Sequence, residues 1–124
     1  MEETTIVYPQ RIRDIRYIES EFSGKTRSFD QITFFLDFQR IDFYSVNDTD
    51  EISVKVSNIK NHIIRESNNL FPDYFIGQEL YITWKCINSQ GYFDLFVIGI
   101  GTIRPTICIL SEGSSLKVLK LEKE

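Results

Sequence analysis

Leu80-Tyr-Ile-Thr-Trp-Lys-Cys-Ile-Asn88, then Ser89-Gln90-Gly91, then Tyr92-Phe-Asp-Leu-Phe-Val-Ile-Gly-Ile-Gly101 is the stretch that decides the fold class. Two runs of β-branched and aromatic residues flank a short polar turn with a glycine, the sequence form of a β-hairpin. The second run is apolar at almost every position except Asp94. A strand apolar on both faces is covered on both faces, which places it mid-sheet.

Working outward, Glu51 to Ser57 alternates cleanly, with Ile52, Val54 and Val56 on one face and Ser53, Lys55 and Ser57 on the other. One side of that strand is wet, as in an antiparallel sheet. Phe29 to Asp37 and Ile41 to Val46 read as two further strands, with Ile32, Phe34 and Leu36 sharing one face of the first and Ile41 and Phe43 one face of the second. Asn47 to Asp50 is a turn, because Asn and Asp side chains satisfy local backbone donors. Thr106 to Leu110 and Leu116 to Leu121 are expected strands around the turn Ser111 to Ser114. Arg11 to Ser20 is ambiguous: Ile12, Ile15 and Ile18 have helical spacing, yet the run is β-branched, and a strand is favoured. Asn58 to Gln78 alone carries helical hints, with Ile59, His62, Ile63 and Glu66 at helical spacing.

Composition agrees with this pattern. The chain has 124 residues, enough for a single domain with its own core, and no linker or repeat divides it. It is 42% hydrophobic and lacks alanine, the best helix former. The expected fold is mostly β: an antiparallel curled sheet or barrel-like roll of about seven or eight strands, with at most one or two short helices.

The net charge of −4 runs against nucleic-acid binding, which needs clustered Lys and Arg. No long apolar run predicts a membrane span, and the acidic start Met1-Glu2-Glu3 lacks the form of a signal peptide. These features predict a cytoplasmic protein, in which Cys86 and Cys108 stay reduced as buried thiols on neighbouring strands.

Chemistry is hard to find. Gly24-Lys25-Thr26 lacks the preceding glycine of a phosphate loop, since Glu19 stands there. The lone His62 has no marked nucleophile beside it, and two cysteines with one histidine cannot make a four-ligand zinc site. No cofactor or metal is expected. Asp48-Thr49-Asp50-Glu51 lacks the glycine that turns a calcium loop. Asp30, Asp37, Asp42, Asp48, Asp50 and Glu51 are instead an acidic group whose ordinary reading is a solvated edge. Their functional reading is contact with a basic partner. Trp84 is expected in the core, on the face of Leu80, Ile82 and Cys86, and Asp94 is expected to face solvent or pair with Lys85.

From Asp48-Thr49-Asp50-Glu51-Ile52 through Ile76-Gly77, Trp84, Asn88-Ser-Gln-Gly91-Tyr92-x-Asp94 and Pro105, the chain is similar to small bacterial proteins, some of which resemble immunity proteins of polymorphic-toxin and contact-dependent-inhibition systems. The resemblance implies a non-enzymatic protein that binds and blocks a cognate toxin. It brings no catalytic residues. The expected partner contact is then Asp37, Asp42, Asp48, Asp50 and Glu51 against a basic toxin domain. The alternative is a small-ligand-binding or weakly enzymatic β-barrel with an interior site around Asp94 and Trp84.

Overall fold

A computed structural model describes residues 5–21, 25, 27–46, 49–59 and 75–121. It holds eight strands: β1 (Gln10–Glu19), β2 (Phe29–Leu36), β3 (Gln39–Val46), β4 (Glu51–Asn58), β5 (Glu79–Ile87), β6 (Phe93–Ile100), β7 (Ile107–Glu112) and β8 (Ser115–Lys120). The helical hints at 59–75 lie almost wholly outside the described residues.

Each half of the chain is an antiparallel meander: β1 to β4 pair in sequence order, and so do β5 to β8. Two narrow seams join the halves. Gln10↔Leu80 and Arg11↔Glu79 tie β1 to β5, and Phe29↔Leu116 ties β2 to β8. Six strands thus close into a barrel, β1-β5-β6-β7-β8-β2, and β3 and β4 continue outward from β2. Closure leaves few free edges, the usual solution for an all-β chain of hairpins.

Inward side chains fill the interior. Ile12, Ile32, Phe34, Leu36, Ile41, Phe43, Leu80, Ile98, Ile107, Ile109 and Leu116 are completely shielded from solvent. The Phe43 ring lies 5.8 Å from Phe34 and 5.1 Å from Phe96, so it packs one meander onto the other. Tilted and edge-on rings at these spacings are favourable beyond their burial.

Bulges shape the β1–β5 corner. In β1 the register shifts between Ile12 and Asp14, and in β5 between Leu80 and Ile82. One extra residue, Arg13 or Tyr81, bends each strand so that it changes partner. This explains why Ile12 and Ile15, three apart, are both buried in a strand, while Ile18 is 55% exposed. It also corrects the position of Trp84. Leu80 points inward, but past the bulge Trp84 pairs with Val97 and shares the outer, half-buried face with Ile82 and Cys86.

Turns follow their sequences. Gly113 and Ser114 both have positive φ, 61° and 64°, in the two-residue β7–β8 hairpin, as such a tight turn requires. Gly99 is fixed by crowding: a Cβ there would lie 2.8 Å from the Thr102 carbonyl oxygen and 2.9 Å from that of Arg104.

Candidate functional site

Contacts between the two meanders bring the ends of β1 and β3 to the β7–β8 hairpin and the start of β6: Phe29 pairs with Leu116, Asp50 bonds to Ser114 and Glu51 to Phe93. This end of the barrel is acidic. A groove of about 560 Å³ runs between the β1–β2 turn and the β7–β8 hairpin, lined by Glu19, Ser20, Glu21 and Asp30 on one side and Gly113 to Ser115 on the other. Among the described residues, no basic side chain lines it. Glu19 is met from outside by Arg27, at 3.0 Å, whereas Glu21 and Asp30 lie exposed.

Two of the carboxylates singled out in the sequence stand at this end and are used as staples. Asp50, in a positive-φ turn position, accepts the Ser114 N–H at 2.8 Å, which fastens the β3–β4 turn to the hairpin that borders the groove. Glu51 accepts the Phe93 N–H at 3.1 Å and the Thr49 hydroxyl at 2.9 Å. Asp48 lies outside the described residues.

The other two are elsewhere. Asp37 stands at the opposite end, roughly 25 Å away along β3 at about 3.3 Å per residue. Burial raises the Asp37 carboxyl, but the Arg13 guanidinium at 2.6 Å and the Arg11 N–H outweigh it and leave the group below its usual range. Asp42 lies midway and is only 3% exposed. It accepts the Thr33 hydroxyl at 2.7 Å, the Gln31 amide at 3.1 Å and Arg40 Nε at 3.0 Å. The acidic run is thus strung along β3, and its members do not form one free surface.

A family model described as "Family of unknown function (DUF6334)" matches residues 1–124. The chain belongs to the DUF6334 family. No curated protein and no solved structure matches it.

In this DUF6334 member, Asp94 and Trp84 do not converge on an interior site. Asp94 is the extra residue of a β6 bulge and accepts the Asn88 amide at 3.2 Å near the hairpin tip. Lys85 does not pair with it; the ammonium sits over the Phe93 ring, 4.6 Å from its centroid. Among the described residues, the barrel interior between these groups is apolar and filled.

Two buried glutamines escaped the sequence reading. Gln10 and Gln39 are 1% and 2% exposed and bond to each other at 2.7 Å. Gln10 also takes the Phe38 N–H, and Gln39 holds the Val7 N–H and the Thr5 carbonyl. Their polar atoms are satisfied, so this pair anchors the N-terminal segment to the far end of the barrel.

The cysteines are not on neighbouring strands. Cys86 pairs with Leu95, and Val97 pairs with Cys108, so β6 runs between them. Two strand spacings come to roughly 10 Å, past the reach of about 7 Å between Cα atoms that a disulfide allows. Burial pushes the Cys108 thiol up, and Cys86 adds to the effect. A chromogenic disulfide reagent is therefore expected to titrate the half-exposed Cys86 promptly and Cys108 only on unfolding. Equal rates for both thiols in native protein would contradict this burial. Among the described residues no group of three or more His, Cys, Asp or Glu side chains is placed to hold a metal, and no helix is long and apolar enough to cross a membrane.

Proposed function

We propose that this protein is a non-enzymatic binding module whose acidic end takes a basic segment of a protein partner. The observation that carries the reading is the groove lined by Glu19, Glu21 and Asp30, with no basic side chain lining it among the described residues. A concave surface of one charge focuses its field, speeds encounter with the opposite charge and turns away acidic partners. Asp50, one hydrogen bond behind Ser114, adds to that field. The net charge of −4 acts in the same direction.

The resemblance of Asp48 to Pro105 to immunity-type proteins supports a toxin domain as the partner, met in the cytoplasm and blocked by occupation of its surface. The contact then shifts from the β3 carboxylates to the exposed Glu21 and Asp30, which hold no hydrogen bond or ion pair among the described residues. Asp50 and Glu51 contribute by holding the groove's walls.

Tagged full-length protein, recovered from its native cells with whatever it binds, supplies the partner for the test. Glu21→Lys with Asp30→Lys is expected to weaken that complex by about tenfold or more at low salt, mostly through slower association, and to flatten its salt dependence. Unchanged affinity and salt slope in the folded double variant would remove the groove from the interface. Recovery of the chain alone would argue against the whole reading. Reversing Asp50 and Glu51 instead is expected to cost about 1 kcal/mol of stability, mostly through the part-buried Phe93 N–H that loses its acceptor, since the exposed Ser114 N–H regains water.

A further inference from the structure

We propose that the outer face of β1–β2–β3 binds a small organic anion, its carboxylate or phosphate taken by the Arg40 fork in a concavity that Arg16 also lines, and its apolar body laid on Phe35. Strand register builds the site. Asp14, Phe35 and Arg40 form one row across the three strands, and Arg16, Thr33 and Asp42 form the next. The two arginines therefore stand on either side of β2, diagonally across Phe35 and Thr33. A concavity of about 240 Å³ opens between them, with Tyr17, Ile18 and Gln31 completing its wall. It is a little smaller than the roughly 300–1,000 Å³ of pockets for drug-sized ligands, which suits a metabolite of few heavy atoms.

Each guanidinium is held from behind by a carboxylate that water scarcely reaches. Asp14, 5% exposed, takes Arg16 Nε at 2.8 Å and the Ile15 N–H at 2.9 Å. Asp42, 3% exposed, takes Arg40 Nε together with Thr33 and Gln31. Burying a charge is costly, and an exposed ion pair repays little of it. What the arrangement achieves is position: the arginines are aimed. Arg40 is gripped at Nε and lies over Phe35, 5.3 Å from the ring centroid. Among the described residues, no protein acceptor takes its terminal nitrogens. That outer edge carries the parallel N–H pair that matches carboxylate and phosphate oxygens. Phe35, half-buried beneath, offers an aromatic face beside it. Two aspartates offset two arginines, so recognition acts through short-range bonds and leaves the acidic character of the neighbouring groove intact.

Full-length protein titrated with phenyl phosphate and with benzoate, followed by amide and arginine side-chain NMR, tests the site. Inorganic phosphate serves as the anion alone and benzyl alcohol as the apolar body alone. Saturable shifts at Gln31, Thr33, Phe35 and Arg40 are expected with the aromatic anions, weaker ones with inorganic phosphate and none with benzyl alcohol. Arg40→Gln combined with Asp42→Asn removes both charges without stranding a carboxylate, and is expected to weaken binding by about tenfold or more. Arg40→Lys keeps the charge and loses the fork, and is expected to weaken it by about threefold or more. The proposal is overturned by an absence of saturable shifts up to about 10 mM probe, near the weak end of specific affinity. Shifts mapping away from these residues, or unchanged affinity in the double variant, overturn it too. Should the double variant not fold, Arg40→Lys decides by the same criterion.

Discussion

Phe43→Ala is expected to lower the unfolding free energy by about 3–5 kcal/mol, read from the urea midpoint at constant m-value. The side chain is completely buried, stands edge-on to Phe34 in its own meander and tilts against Phe96 in the other. Truncation removes apolar burial and leaves a hole that two rings line. Neither can fill it without leaving its own strand register, so the cavity persists. Small domains hold about 5–15 kcal/mol in total, so this single change removes a large share. A loss below about 1 kcal/mol would mean that β3 collapses onto β6, and that the contact between the halves lies elsewhere.

Asp42→Ala is expected to cost about 2–4 kcal/mol in the same measurement. The buried carboxylate gathers Thr33, Gln31 and Arg40, and Thr33 is itself only 4% exposed. Removal leaves a buried hydroxyl without its acceptor. Arg40, 41% exposed, regains water, which keeps the cost below that of stranding a fully buried charge. Asp42→Asn is expected to lose roughly half as much, since one oxygen still accepts from Thr33 while the amide faces the Arg40 donors. A change under about 0.5 kcal/mol for Asp42→Ala would show that the network contributes nothing net.

Asp42 also shows where sequence reasoning stops. Alternation correctly places it opposite Ile41 and Phe43, on the outer face, and an outward aspartate is ordinarily wet. Its burial comes with Thr33 and Gln31 on the paired strand β2 and Arg40 on its own, a set that only register brings together. The strands themselves were legible. The hairpin from Leu80 to Gly101, the alternation from Glu51 to Ser57 and the missing alanine define a mostly antiparallel β chain, and all eight strands fall within or close to the stretches so read. The bulges were not. Arg13 and Tyr81 are ordinary strand residues, and their insertion is set by the corner at which β1 and β5 exchange partners. Missing them makes Ile12 and Ile15 look helical and puts Trp84 on the wrong side of its strand. The acidic groove was hidden for a similar reason. Glu19 ends β1, Glu21 follows it and Asp30 stands at the start of β2, and they meet Ser114 only because Phe29 pairs with Leu116 to bring the last hairpin alongside.

The seams between the two meanders carry a consequence for how the molecule opens. Backbone ladders within each half are long and local, whereas the joins at Gln10–Arg11 and at Phe29 are a few residues wide. Local pairing closes quickly and distant pairing slowly, so each half can assemble as its own unit before the late step of docking. The assembled molecule then resembles a dimer whose two subunits share one chain: an interface of side chains, more than the two short hydrogen-bonded seams, keeps it shut. Amide exchange should reveal this directly, with protection at the joins lost in openings that leave both ladders intact.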